Sequence, residues 1–133
     1  MEKETVSFTV LGCSNPGAPL ENVFQQGVGS LFLIRVGGNV SDIDETGSIK
    51  YGFGHLNTPL VVVLGHTCCE FVTAVAQEAR AGGPLPALVG NIILAVLKVK
   101  VTESVPVAKV INRAAQANVG LSIEELLKRI GEA

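Results

Sequence analysis

Three short runs rich in apolar residues, Val6 to Leu11, Leu31 to Arg35 and Leu60 to Leu64, have the length of strands, and the second and third show little polar alternation. Runs of that kind are buried on both faces, so the pattern predicts parallel strands covered by helices. Gly12 bounds the first run, and Ser14-Asn15-Pro16-Gly17-Ala18-Pro19 is a dense turn signal whose last proline suits the first turn of a short helix over Leu20 to Gln26. Gly27 and Gly29 precede the second run, and Val36-Gly37-Gly38-Asn39 follows it as a flexible connection. Ser41 to Gly47 reads as a solvated acidic loop carrying Asp42, Asp44 and Glu45. Ser48 to His55 places Ile49, Tyr51, Phe53 and Leu56 at helical positions, weakened by Gly52 and Gly54, and Pro59 opens the third run.

Beyond Cys69 the apolar residues Phe71, Val72, Val75, Ala76 and Ala79 recur at helical spacing until Gly82-Gly83-Pro84 stops them. The stretch 85–105 reads as a helix passing into an extended segment, since Ile92, Ile93, Val96 and Leu97 suit a buried helix while Leu97 to Thr102 alternates. Val107, Val110, Ile111, Ala114 and Ala115 form another helical stripe, which Asn118-Val119-Gly120 is expected to end. Ser122 and Glu125 then make a capping box for a last helix over Ile123 to Ile130. Strands alternating with helices predict an α/β fold with a short parallel β-sheet core flanked by helices. At 133 residues, 47% hydrophobic and 17% charged, the chain is expected to form one domain over 1–133.

Charge excludes two classes of partner. A net charge of -2, with Lys and Arg scattered among acidic residues, provides no basic stripe for nucleic acid or an anionic membrane. The longest apolar stretch, Leu85 to Leu97, is broken by Gly90 and Asn91 and is too short to span a bilayer, and Met1 to Thr5 has no secretory pattern. A cytoplasmic location is expected. Three cysteines, two of them adjacent, do not make a disulfide framework.

The chemistry is concentrated at the ends of two runs. His66-x-x-Cys69 follows the third run directly, and Cys13 follows the first. Two thiols and one imidazole at strand ends are a donor set for a catalytic Zn2+, with a fourth tetrahedral position left open. The alternative is three buried core side chains. Cys68 is out of register with this set and reads as a small thiol with possible redox sensitivity.

Four blocks resemble, in order and spacing, the β-class carbonic anhydrases: Gly12-Cys13-Ser14, Leu20 through Asn39, Ser48-Ile49-Lys50-Tyr51, and Val61 through Cys69. The resemblance covers about the first two-thirds of the chain; Asn118-Val119 is a weaker match further on. It implies a β-carbonic-anhydrase-like fold, zinc on Cys13, His66 and Cys69, CO2 or bicarbonate as the small-molecule substrate, and a homodimer or higher homo-oligomer. The family's closing strand and N-terminal helices have no counterpart, which implies a minimal version of the fold.

Two departures bear on activity. In the family the first zinc cysteine opens Cys-x-Asp-x-Arg, whose carboxylate orients the zinc-bound water or, in some members, occupies the metal. Asn15 and Gly17 stand there instead. An amide accepts a hydrogen bond but holds no proton in transit. Losing both charges together avoids leaving one uncompensated. Glu70 stands where the family has glycine, either as a substitute acid-base group or as a favourable charge in the first turn of a helix. The expected catalytic side chains are therefore Asn15 and Glu70, and the expected activity is weak zinc-dependent CO2 hydration. The alternatives are a zinc-binding protein without that turnover, serving anion or metal binding or assembly, and hydrolysis of carbonyl sulfide or carbon disulfide. His55 reads as a surface or core histidine, and Arg35 and Asn39 as residues that fix loop backbone or contact substrate.

Overall fold

The computed structural model describes residues 5–15, 17, 19–81, 92, 96 and 106–131. Strands β1 (Phe8–Cys13), β2 (Leu31–Val36) and β3 (Val61–Leu64) form one parallel sheet in the order β2-β1-β3. Phe8 pairs with Leu31 and Cys13 with Val36 on one side of β1, and Thr9 with Val61 and Gly12 with Leu64 on the other. The central strand is buried from Thr9 to Cys13. Its side chains alternate between the two faces of the sheet, as strand geometry requires. Val10 packs with Leu20 and Leu31 on one face, and Leu11 with Ile49 and Leu126 on the other. Both faces are apolar, which is why the strand sequences show no clean polar alternation.

Four α-helices whose bounds fall among the described residues accompany the sheet: α1 (Leu20–Val23), α2 (Ile43–Gly54), α3 (Glu70–Ala81) and α4 (Val107–Gly131). Helix α1 is a single turn, shorter than the expected Leu20 to Gln26; the chain leaves the helix at Phe24 and adopts a left-handed backbone at Gln25, with φ 53°. Helix α2 rests on the Leu11 face. Gly52 permits that approach, since a Cβ there would stand 2.6 Å from Thr9 Oγ1, and Thr9 Oγ1 is itself hydrogen-bonded to Thr58 Oγ1 at 2.9 Å. No helix among the described residues is long and apolar enough to cross a membrane.

Two sequence expectations are corrected. Ser41 to Gly47 is not an acidic loop: Asp42 is the N-cap of α2, its carboxylate accepting from Ile43 N–H at 2.7 Å, while its own N–H donates to Glu45 Oε2 at 3.2 Å. This reciprocal capping box satisfies otherwise orphaned helix-start donors and places Asp44 and Glu45 at the favourable end of the helix dipole. Nor does the chain break at Asn118-Val119-Gly120. Helix α4 runs through it, because Gly120 is exposed on the outer side and Asn118 finds a distant partner for its side chain. Ser122 is accordingly a buried residue inside this helix and not the cap of a new one. The elements expected over 85–105 lie outside the described residues apart from Ile92 and Val96, which are buried in the core that α3 and α4 share.

Candidate metal centre

Parallel order brings the C-terminal ends of the strands to one edge, the usual place for a site in an open α/β sheet. Cys13 is the last residue of the central strand, and His66 and Cys69 lie between β3 and α3. A left-handed backbone at Cys68, φ 54°, turns the chain between them. One donor atom each from Cys13, His66 and Cys69 lies within 4.8 Å of the others. Cys13 and Cys69 are buried; His66 is exposed.

The donor set fits a zinc ion by two further observations. The Sγ atoms of Cys13 and Cys69 are 3.9 Å apart, and two sulfurs about 2.3 Å from one tetrahedral zinc lie about 3.8 Å apart. His66 Nδ1 is 2.9 Å from the Thr67 carbonyl oxygen. A carbonyl only accepts, so Nδ1 carries the proton and Nε2 keeps the lone pair a metal needs.

Local electrostatics are mixed. Cys13 Sγ accepts N–H groups from Asn15 at 3.4 Å and Gly38 at 3.3 Å. Burial pushes the Cys69 thiol above its ordinary 9.0; the backbone N–H groups of Val72 and Phe71 pull it down, and the charge of Cys13 adds to the rise. Cys69 therefore holds its proton in the metal-free fold more firmly than a free thiol.

A cavity of about 260 Å³ adjoins Cys13 and His66 and is lined also by Asn15, Gly17, Leu20 and Arg35. Arg35 fixes loop backbone: Nε donates to the Cys13 carbonyl at 3.0 Å and Nη2 to the Asn15 carbonyl at 3.3 Å. A second cavity, on the other side of His66, lies against α4 at Asn112, Ala115, Gln116 and Val119. Glu70 opens α3, is exposed and lines neither cavity. Cys68 is exposed, its backbone N–H donating to Asn112 Oδ1 at 3.4 Å. His55 stacks on Tyr51 at the end of α2, with ring centroids 4.7 Å apart. Asn39 is buried in the turn after β2.

The sequence places Asn118 at a helix end and Ser122 at a helix start, and neither reading reaches the contacts they make beside the site. Asn118 Nδ2 donates to the Gly38 carbonyl, and Ser122 Oγ to the Asn39 carbonyl at 2.9 Å. Their signal was available: both fall on the stripe of buried α4 positions that Val110, Ile111, Ala114, Ala115 and Leu126 define, where a polar residue needs a partner.

A parallel α/β sheet with two thiols and an imidazole gathered at its C-terminal edge defines a protein able to hold a soft metal ion with a position to spare. The chain belongs to the β-class carbonic anhydrase family, whose model, described as Carbonic anhydrase, matches residues 8–131. Carbonic anhydrase 2 of Mycobacterium tuberculosis is 43% identical over 77 residues, covering 58% of this chain and 37% of that protein. Among solved structures, the Coccomyxa β-carbonic anhydrase in complex with acetazolamide superposes with a TM-score of 0.78 at 14% identity, over 94% of this chain and 59% of the other. One of two tetrameric β-carbonic anhydrases from Sordaria macrospora gives 0.70 at 23% identity, over 92% of this chain and 64% of the other. The chain thus spans little more than a third of the curated relative and about three-fifths of these solved structures.

Proposed function

We propose that this chain holds one zinc ion on Cys13, His66 and Cys69 and catalyses the reversible hydration of CO2 to bicarbonate, slowly. The observation that carries this reading is the convergence of the three donors within 4.8 Å beside an open cavity. A bound zinc would supply Lewis acidity that makes water nucleophilic near neutral pH, an effect moderated by the charge of two thiolates. The chain's own residues do the rest. Leu20, Val23 and Leu64 give the cavity an apolar side suited to uncharged CO2, and Arg35 and His66 give it a polar side. Arg35 holds the Cys13 and Asn15 carbonyls and so keeps Asn15 at the rim. Asn15 can orient a water by accepting its hydrogen bond, but it cannot take the proton away. Of the two expected catalytic side chains, we carry forward Asn15; Glu70 serves the first turn of α3.

The absence of an acid-base side chain at position 15 favours a second reading: a zinc-binding relative without CO2 turnover. Stopped-flow CO2 hydration with zinc-loaded and chelator-treated protein separates the two. A zinc-dependent rate above the buffer background supports the enzyme; its absence in protein that retains one zinc per chain supports the second reading, and carbonyl sulfide and carbon disulfide are then the substrates to assay.

We also propose that the chain assembles at least as a dimer. Among the described residues the Val10 face of the sheet is covered by little more than α1, Phe8, Leu33, Val62 and Leu64 are half-buried, and Val23, Val28 and Leu60 are exposed. Apolar surface of that kind, and sheet edges at β2 and β3 that pair with no further strand among the described residues, call for cover. A monomer by light scattering at micromolar concentration would overturn this.

A further inference from the structure

One of the two N–H groups that Cys13 Sγ accepts comes from its own loop, at Asn15; the other, from Gly38, comes from a turn 25 residues away. That turn holds two successive left-handed residues, Gly38 with φ 71° and Asn39 with φ 42°. Glycine adopts this backbone freely, but at Asn39 it costs free energy and persists only where the surroundings hold it. Packing supplies part of the constraint, since a side chain at Gly38 would collide with Ile92 and one at Gly37 would come within 2.6 Å of Phe71. Helix α4 supplies the rest. The carbonyls of both left-handed residues are taken up by Asn118 and Ser122, one helical turn apart and 1% and 0% exposed. These bonds span 80 and 83 residues of sequence.

We infer that Asn118 and Ser122 are positioning residues for the metal centre: by holding the Gly38 and Asn39 carbonyls they aim the Gly38 N–H at Cys13 Sγ and set the electron density on that sulfur. This rests on the reading of Cys13, His66 and Cys69 as metal ligands. An N–H donated to a thiolate withdraws charge from it, and outer partners of this kind orient a ligand and tune its donation. Helix packing alone does not ask for an amide on this face. Asn118 Oδ1 is buried without a partner among the described residues, a cost an apolar side chain would avoid. The same stretch of α4 reaches the other ligand loop, because Val119 Cγ2 lies where a Cβ on Gly65 would stand 2.7 Å from it, one residue before His66.

Cobalt(II) titration of the full chain tests the assignment through its thiolate-to-metal absorption band and through the rate of cobalt release to a chelator. Asn118→Leu keeps the branched shape and the number of heavy atoms and removes the unpartnered oxygen together with the donor. Ser122→Ala is a smaller perturbation that reads the same bond network should Asn118→Leu fold poorly. Leu126→Ala is the control: it is buried in the same helix and packs in the cluster of Leu11 and Ile49, but its side chain makes no hydrogen bond to the turn. Both test variants are expected to move the band to lower energy and to release cobalt about 10- to 100-fold faster, Asn118→Leu more than Ser122→Ala. Leu126→Ala should lower the melting temperature and leave the band in place. Wild-type bands and release rates in both variants, or an equal shift in Leu126→Ala, would overturn the assignment. A wild-type chain that binds cobalt with no thiolate band would overturn the metal-ligand reading and this inference with it.

Discussion

The sulfur atoms of Cys13 and Cys69 stand 3.9 Å apart across 56 residues of chain, one at the end of the central strand and the other just before α3. Neither is disulfide-bonded. On the proposed reading, protein purified with zinc should hold one ion per chain, and Cys13→Ser or His66→Ala should lower zinc affinity by more than the roughly 10- to 100-fold typical of losing an outer partner. Metal analysis after dialysis against a weak chelator checks this; full zinc retention in either variant would remove that residue from the ligand set.

The buried Cys69 thiol makes metal-free stability depend on pH. Its pKa is raised above the ordinary 9.0 chiefly by burial, so the folded chain keeps a proton that the unfolded chain releases at lower pH. This contribution is fully present below the ordinary thiol value and is lost as pH rises through the raised one. Chelator-treated protein should therefore lose stability between about pH 8 and about pH 10 relative to zinc-loaded protein, in which the metal takes the proton's place. Urea midpoints at both pH values, with and without zinc, measure it. A metal-free midpoint that rises over that interval would contradict the burial argument.

Asp42 caps α2 and also lies 3.1 Å from Arg129 of α4. The two roles differ in worth: an N-cap contributes about 1 kcal/mol, and an exposed ion pair about 0 to 1. With the Asp42 side chain 71% exposed, the cap should dominate. Asp42→Ala is expected to destabilise the fold by about 1 kcal/mol, and Asp42→Asn, which keeps the acceptor and loses the charge, by much less. Equal losses in the two variants would assign the stabilisation to the ion pair instead.

The sheet was legible because strands with apolar residues on both faces leave a short apolar run, fully buried at Val10-Leu11 and half-buried at Val61 to Leu64. The start of α2 was not, because Asp42, Asp44 and Glu45 suit a solvated loop and a helix N-terminus equally well; only the three-residue spacing of Asp42 and Glu45 separates the two. Asn118-Val119-Gly120 carries the local signs of a helix end, but the partner that keeps Asn118 in the helix lies 80 residues away, beyond any local reading. At the site, Cys13, His66 and Cys69 could be singled out because thiols and imidazole are scarce in this sequence and fall at strand ends. The N–H that Gly38 offers to Cys13 belongs to the backbone, which no side-chain pattern reveals.

The last prediction concerns Asn15 and Gly17, which line the cavity beside Cys13 and His66. A carboxylate at position 15 could orient the attacking water and accept its proton, a contribution of about 10² to 10⁴ in rate for general acid-base catalysis. Alone, that charge would sit at a partly buried rim where Arg35 already spends its Nε and Nη2 donors on backbone carbonyls. Space exists for a second cation, since a Cβ at Gly17 would meet no atom within 4 Å. Asn15→Asp with Gly17→Arg should therefore raise zinc-dependent CO2 hydration by a factor within that range, and by more than the product of the two single changes, because each charge compensates the other. Steady-state rates for the four proteins of this double-mutant cycle, each at one zinc per chain, provide the measurement. A wild-type rate already matching the double variant would mean that another group carries the proton, and Glu70→Gln, expected to be neutral because Glu70 lies outside the cavity, would be the substitution to decide it.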